Sequence, residues 1–188
     1  SSVTREICEQ LGVEHSVVPM SDDPLKTIAV TDKGDLPFQE YFVHRQCEPK
    51  ITGVRFDGVE YAKIAPGFNQ ALAASDCIIF CPSNPVVSLG PILAIPGVQN
   101  AIAAFNGPKI AVSPIIDGRA IKGPAAKMLL ELGEEVSCVG VARRLRSLCN
   151  GFVIDDADAT KANRINELGM KVLVTPTLMT TDEQKTRL

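Results

Sequence analysis

Asp76-Cys77-Ile78-Ile79-Phe80-Cys81-Pro82-Ser83-Asn84-Pro85 is an uninterrupted apolar run that ends abruptly in a polar loop stiffened by proline. A continuous apolar run of strand length predicts a strand buried on both faces, as in a parallel sheet. Cys77 and Cys81, four apart in such a strand, share a face but lie about 13 Å apart along it. That is too far for a disulfide.

C-terminal to this run, the pattern alternates. The stretch from Pro82 to Gly97, with prolines at 82, 85, 91 and 96, reads as a long loop. A helix over Val98–Phe105, a strand over Lys109–Val112 and helices over Pro124–Leu132 and Val139–Leu148 follow. A strand over Gly151–Ile154, a helix over Asp158–Leu168, a strand over Lys171–Val174 and a helical tail over Asp182–Leu188 complete this half. Asp156 or Asp158 is expected to cap the helix after Ile154. Strands alternating with helices at these spacings predict an α/β fold, a doubly wound and mostly parallel sheet.

N-terminal to the run, Pro66–Ser75 carries helix formers behind a proline suited to a first turn. Before Pro66 the pattern differs. Thr4–Leu11 reads as a short helix closed by Gly12, and His15–Val18 as a strand. Lys26–Thr31 and Leu36–Val43 read as a hairpin around Asp32-Lys33-Gly34-Asp35, and Ile51–Phe56 as a further strand. This predicts an inserted β-hairpin region between about residues 26 and 56.

The 188 residues suit a single α/β domain over 1–188 with one sizeable core. With 45% hydrophobic and 22% charged residues the chain is not of disordered composition. Nineteen basic against 22 acidic residues leave a net charge of −3, and no long basic run offers a footprint for nucleic acid. Arg143-Arg144-Leu145-Arg146 reads as a solvated helix face. No apolar run approaches the roughly 18 residues of a membrane span. Ser1–Glu6 lacks the apolar core of a signal peptide, and no initiator Met is present, which suits a segment of a longer protein. The six cysteines form no C-x-x-C pair and only two histidines occur, which argues against zinc. They read as buried thiols in a reducing cytoplasm. His15 and His44 have no evident nucleophilic partner, so no catalytic triad is expected.

Ligands of an open parallel sheet sit at the carboxyl ends of its strands. Two unusual loops leave such ends. Ser83, Asn84 and Ser88 follow the apolar run, and hydroxyls with free backbone N–H groups suit phosphate oxygens. The alternative is a turn that Ser83 and Asn84 merely cap. Ser113, Arg119 and Lys122 lie on the loop after Val112 and are placed to meet an anion where the next helix begins, with Gly123 permitting close approach. A charged surface loop is the alternative there. The adjacent carboxylates of Asp22 and Asp23 suit a hard cation, although such a pair more often forms a helix cap or a turn.

Phe80–Gly97 resembles the signature of the 2-phospho-L-lactate transferase family of coenzyme F420 biosynthesis. Ala111–Ile116 with Lys122–Ala125 is similar to its second motif. Pro19–Pro24, Phe38–Val43 and Val174–Met179 resemble three more, in order along the chain. The resemblance implies a Rossmann-like transferase that takes a lactyl or enolpyruvyl diphosphoguanosine. It would pass the phospholactyl or phosphoenolpyruvyl group to the ribityl hydroxyl of the deazaflavin Fo, releasing GMP with the help of Mg²⁺. Ser83, Asn84, Ser88, Ser113, Arg119 and Lys122 are then expected to bind the guanosine diphosphate-linked donor. Asp22 and Asp23 are expected to hold magnesium or take the acceptor's proton. The exposed hairpin is expected to serve a homodimer. The family's opening strand, Gly-Gly-x-Gly-Gly loop and Thr-Gly-Asp-Asp segment have no counterpart here. Its N-terminal βα unit is therefore absent from these residues, and the chain reads as the C-terminal part of a longer enzyme. The competing readings are a non-catalytic regulator of related fold that binds a nucleotide or nucleotide sugar, and an α/β domain whose loops are only structural.

Overall fold

The computed structural model describes residues 1–187. Strands β4 (Ile78–Phe80), β5 (Lys109–Val112), β8 (Gly151–Ile154) and β9 (Lys171–Val174) form one parallel sheet in the order β4-β5-β8-β9. This is the strand order of one half of a doubly wound sheet. The register runs Phe80 to Ala111 to Phe152 to Val172 across it. Because side chains alternate along a strand, Phe80, Ala111, Phe152 and Ile154 point to one face, where all four are buried. They share a core with Met128 and Leu129 of α5 (Ala125–Glu131), Val139 and Val141 of α6 (Cys138–Leu145) and Ile165 of α7 (Ala162–Asn166).

On the other face, two strand residues of this sheet stand open. Ile79 is 63% exposed and Leu173 59% exposed. Among the described residues β4 and β9 are the two ends of this sheet, and Cys81, just beyond β4, is exposed. A continuous apolar run reports hydrophobicity but not which neighbours are supplied.

The hairpin region is a separate antiparallel sheet, β2-β1-β3, built from β1 (Lys26–Thr31), β2 (Gly34–Pro37) and β3 (Ile51–Asp57). The second strand is shorter than expected. It stops at Pro37, which has no N–H to extend the ladder, and Glu40–His44 winds into a π-helix instead. Tyr41 from that turn is fully buried. Between β4 and β5, the stretch expected as a loop contains α3 (Leu89–Ala94) before α4 (Val98–Ala104). The helix expected over Asp158–Leu168 is a 3₁₀ turn, Asp156–Lys161, followed by α7. Its cap is Asp155, which accepts from the Ala157 N–H, and not Asp156 or Asp158.

Helix α1 (Ser2–Gln10) forms, but Ile7 and Leu11 are exposed. His15–Val18 is irregular, with no strand paired to it among the described residues. Helices α2 (Pro66–Ala74) and α8 (Asp182–Arg187) match expectation, and Leu188 lies outside the described residues.

Candidate functional site

The carboxyl ends of β4, β5 and β9 open into one cleft of about 530 Å³. At the β4 end the chain turns on Asn84. Its Oδ1 accepts the backbone N–H groups of Val86 (2.9 Å) and Val87 (3.3 Å), and its carbonyl accepts those of Ser88 and Leu89. Asn84 therefore lines the cleft while its carbonyl oxygen is spent on shaping the loop, as short polar side chains do in turns. Ser83 and Ser88 also line the cleft, and neither hydroxyl is engaged by another group among the described residues.

At the β5 end Ser113 is buried. Its Oγ donates to the Ile115 carbonyl (2.8 Å) and accepts from the Ile115 N–H (3.2 Å), so this hydroxyl closes a turn at the edge of the cleft. A hairpin then runs out and back, β6 (Ile115–Ile116) and β7 (Arg119–Ala120). Asp117 (φ 48) and Gly118 (φ 71) both take positive φ at its tip, the arrangement a two-residue type I′ turn demands. The Asp117 N–H donates to Asp158 (3.1 Å), a fully buried carboxylate paired with Lys161. This tether carries the hairpin tip away, and Arg119 is not among the cleft residues. The returning strand brings Ile121, Lys122 and Gly123 into the cleft instead. Lys122 is exposed and makes no ion pair among the described residues.

Two further segments line the same cleft, and motif reading had not assigned them a role in it. Phe42 comes from the π-helical turn and Phe38 from the residues just before it, their rings stacked 5.7 Å apart with planes 6° from parallel. Their spacing of four was visible in the sequence, but it places residues on one side of a strand as well as of a helix, so it identified neither. Thr177, Leu178 and Met179 come from the segment after β9.

Asp22 and Asp23 are not brought to this cleft. Asp22 lines a separate hollow of about 480 Å³ beside α1 and accepts from the Ser1 hydroxyl (2.8 Å). Asp23 accepts the Lys63 N–H (2.8 Å), and Ser21 donates to the Lys63 carbonyl (2.6 Å), a staple between loops. No acidic side chain lines the cleft, and among the described residues no three His, Cys, Asp or Glu are grouped to hold a metal. No helix among the described residues is long and apolar enough to cross a membrane.

A parallel sheet whose strand-end loops bring Ser83, Ser88 and Lys122 into one cleft with the stacked Phe38 and Phe42 rings defines an α/β protein with its cleft at the carboxyl ends of the strands. Residues 1–182 match the family described as 2-phospho-L-lactate transferase CofD, and the chain belongs to that family. It is 34% identical over 183 residues to a 2-phospho-L-lactate transferase of Methanosarcina barkeri, an alignment covering 97% of this chain and 59% of that protein. It is 40% identical over 169 residues to one of Methanothermobacter thermautotrophicus (90% and 54%). It is 37% identical over 185 residues to a phosphoenolpyruvate transferase of Streptomyces griseus (96% and 58%). The chain thus spans somewhat over half the length of the curated relatives it matches. In fold it resembles protein BH3568 of Bacillus halodurans, a member of the UPF0052 family. The TM-score is 0.62 at 17% identity over 97% of this chain and 64% of that one, and a second crystal structure of the same protein gives 0.64 at 15%.

Proposed function

We propose that the protein carrying this chain transfers a phospholactyl or phosphoenolpyruvyl group from a guanosine diphosphate-linked donor to the deazaflavin Fo, releasing GMP. The observation that carries this reading is the pairing, in one cleft, of the unpaired Lys122 and the free Ser83 and Ser88 hydroxyls with the stacked Phe38 and Phe42 rings. A diphosphate needs the first set: cation and hydroxyl donors form charge-assisted bonds to its oxygens. A flat tricyclic acceptor suits the second, which gains from offset stacking.

In the reaction proposed, the terminal ribityl oxygen of Fo attacks the phosphorus that bears the lactyl or enolpyruvyl group. A new phosphate ester bond forms, the bond to the GMP oxygen breaks, and GMP leaves with the electron pair. Lys122 stabilises charge that grows on the transferred phosphate. The ribityl proton passes to water, since no carboxylate among the described residues lines the cleft. Asp22 and Asp23 are left out of the step for the same geometric reason. Magnesium, when bound with the diphosphate, would share its negative charge. We place the protein in the cytoplasm, where free thiols such as Cys138 and Cys149 persist. A homodimer remains part of the proposal, tested by sedimentation of the full-length protein.

Thermal unfolding of the full-length protein with GDP, Fo or a UDP-sugar tests the reading, since a ligand of the native state raises the midpoint. GDP and Fo should each raise it. A shift with UDP-sugar alone would replace this proposal by a nucleotide-sugar binder.

A further inference from the structure

We propose that Asp155 is a positioning residue for the cleft: its carboxylate latches Thr177 and thereby sets Leu178 and Met179 against the apolar part of the acceptor. The inference rests on the acceptor reading above and deepens it.

The two oxygens of Asp155 serve different segments. Oδ1 accepts the Ala157 N–H (3.1 Å) and starts the 3₁₀ turn after β8. Oδ2 accepts both donors of Thr177, its backbone N–H at 2.8 Å and its hydroxyl at 3.0 Å. Both residues are buried, Asp155 at 7% exposure and Thr177 at 6%. Capping the turn accounts for the first oxygen only.

The second oxygen matters because of where β9 lies. Among the described residues its one neighbour is β8, and the ladder ends where the Thr175 N–H donates to Ile154. Beyond that the chain has no regular structure until α8. A buried backbone N–H left without a partner is costly, so the position of Thr177 is set by whatever accepts from it. Bonds to a carboxylate are about twice as strong as neutral ones. Leu178 and Met179, the next two residues, remain 40% and 39% exposed and line the cleft beside the stacked rings. Apolar side chains so exposed in a cleft are available to a ligand's apolar surface.

Steady-state kinetics in the full-length protein test this, with Fo and donor varied separately. In Asp155→Asn the amide NH₂ must face one of the two donor sets, and in Thr177→Val one donor is lost while the turn cap stays intact. Each variant should raise the KM for Fo by about tenfold, with kcat and donor KM within about twofold, and Thr177→Ser should restore the wild-type KM. Hydrogen exchange at residues 177–179 should accelerate in Asp155→Asn. If Asp155→Asn does not fold, Thr177→Val and Thr177→Ser decide. An unchanged KM for Fo, or Fo and donor KM rising together with a lowered melting point, overturns the inference. Failure of the wild type to bind Fo overturns the acceptor reading and this role with it. Unaltered exchange at 177–179 in a wild type that does bind Fo overturns the latch alone.

Discussion

The Lys127 ammonium lies 5.9 Å from the centroid of the buried Tyr41 ring and within 3.5 Å of its hydroxyl oxygen. The same ammonium donates to the Pro49 carbonyl (3.1 Å) and to Glu131 (2.7 Å), and Glu131 in turn accepts the Ile51 N–H (2.9 Å). One cation on α5 thus ties the antiparallel sheet and the π-helical turn to the helix that follows the Lys122 loop. Phe38 and Phe42 stand on the turn that Tyr41 anchors.

Tyr41→Phe removes the hydroxyl and keeps the ring, so it should cost about 1 kcal/mol of stability. Lys127→Met should cost a similar amount, about 1 kcal/mol, because Lys127 is 35% exposed and solvent screens its pair with Glu131. Tyr41→Ala empties a fully buried site and should cost about 3–5 kcal/mol. Urea unfolding midpoints rank the three, and equal costs for Phe and Ala at position 41 would show that the ring carries no packing.

Lys122 and Arg119 lie three residues apart on one loop, but only Lys122 lines the cleft. Lys122→Ala should weaken GDP binding to the full-length protein by about 1.5–3 kcal/mol, the range for a charge-assisted bond. Arg119→Ala should leave it within error. Titration calorimetry at fixed ionic strength separates them, and comparable losses would mean that long-range charge, not contact, draws the diphosphate.

Gly140 has no room for a side chain. A Cβ built there would sit 1.9 Å from the Glu135 carbonyl oxygen, and Gly140 also donates its N–H to the Ser137 cap of α6. Gly140→Ala forces backbone to move and should cost about 2 kcal/mol or more. Gly53→Ala is the control, because its nearest neighbour, Val30 Cβ, is at an ordinary 3.7 Å. Melting temperatures should fall for the first and stay near wild type for the second.

Cys81 is exposed, whereas Cys138 and Cys149 are buried. Burial pushes the Cys138 thiol up to about 11, with the Asp158 charge adding to it, and the Cys149 thiol up to about 12. A thiol reagent at neutral pH should therefore modify Cys81 long before either buried thiol. The raised values also set a sign. Below the ordinary thiol value of 9.0 both states keep the proton and the contribution is complete. As pH rises from 9.0 toward 11, the unfolded chain ionises ahead of the folded one and stability falls. Cys149→Ala should flatten that alkaline decline in a urea titration against pH.

Local pattern alone specified the strands at Lys109–Val112, Gly151–Ile154 and Lys171–Val174 and the first hairpin strand at Lys26–Thr31. Short-range rules suffice there, because periodicity and turn residues act within a few positions. Membership of the cleft was a different matter. Ser83 and Lys122 were legible as strand-end loop residues and do line it. Arg119 looked as suitable but leaves with a hairpin tip whose tether to Asp158 spans 41 positions. Asp22 and Asp23 looked suited to a metal, yet their loop is stapled to Lys63, and Asp23 reaches it across 40 positions. Phe38 and Phe42 entered the cleft only because Pro37 ended a strand and Tyr41 found a buried place beneath Lys127. Residue type and spacing determined which side chains were able to bind an anion. Which of them meet in one place was decided by long-range hydrogen bonds and packing, whose partners have no fixed separation along the chain.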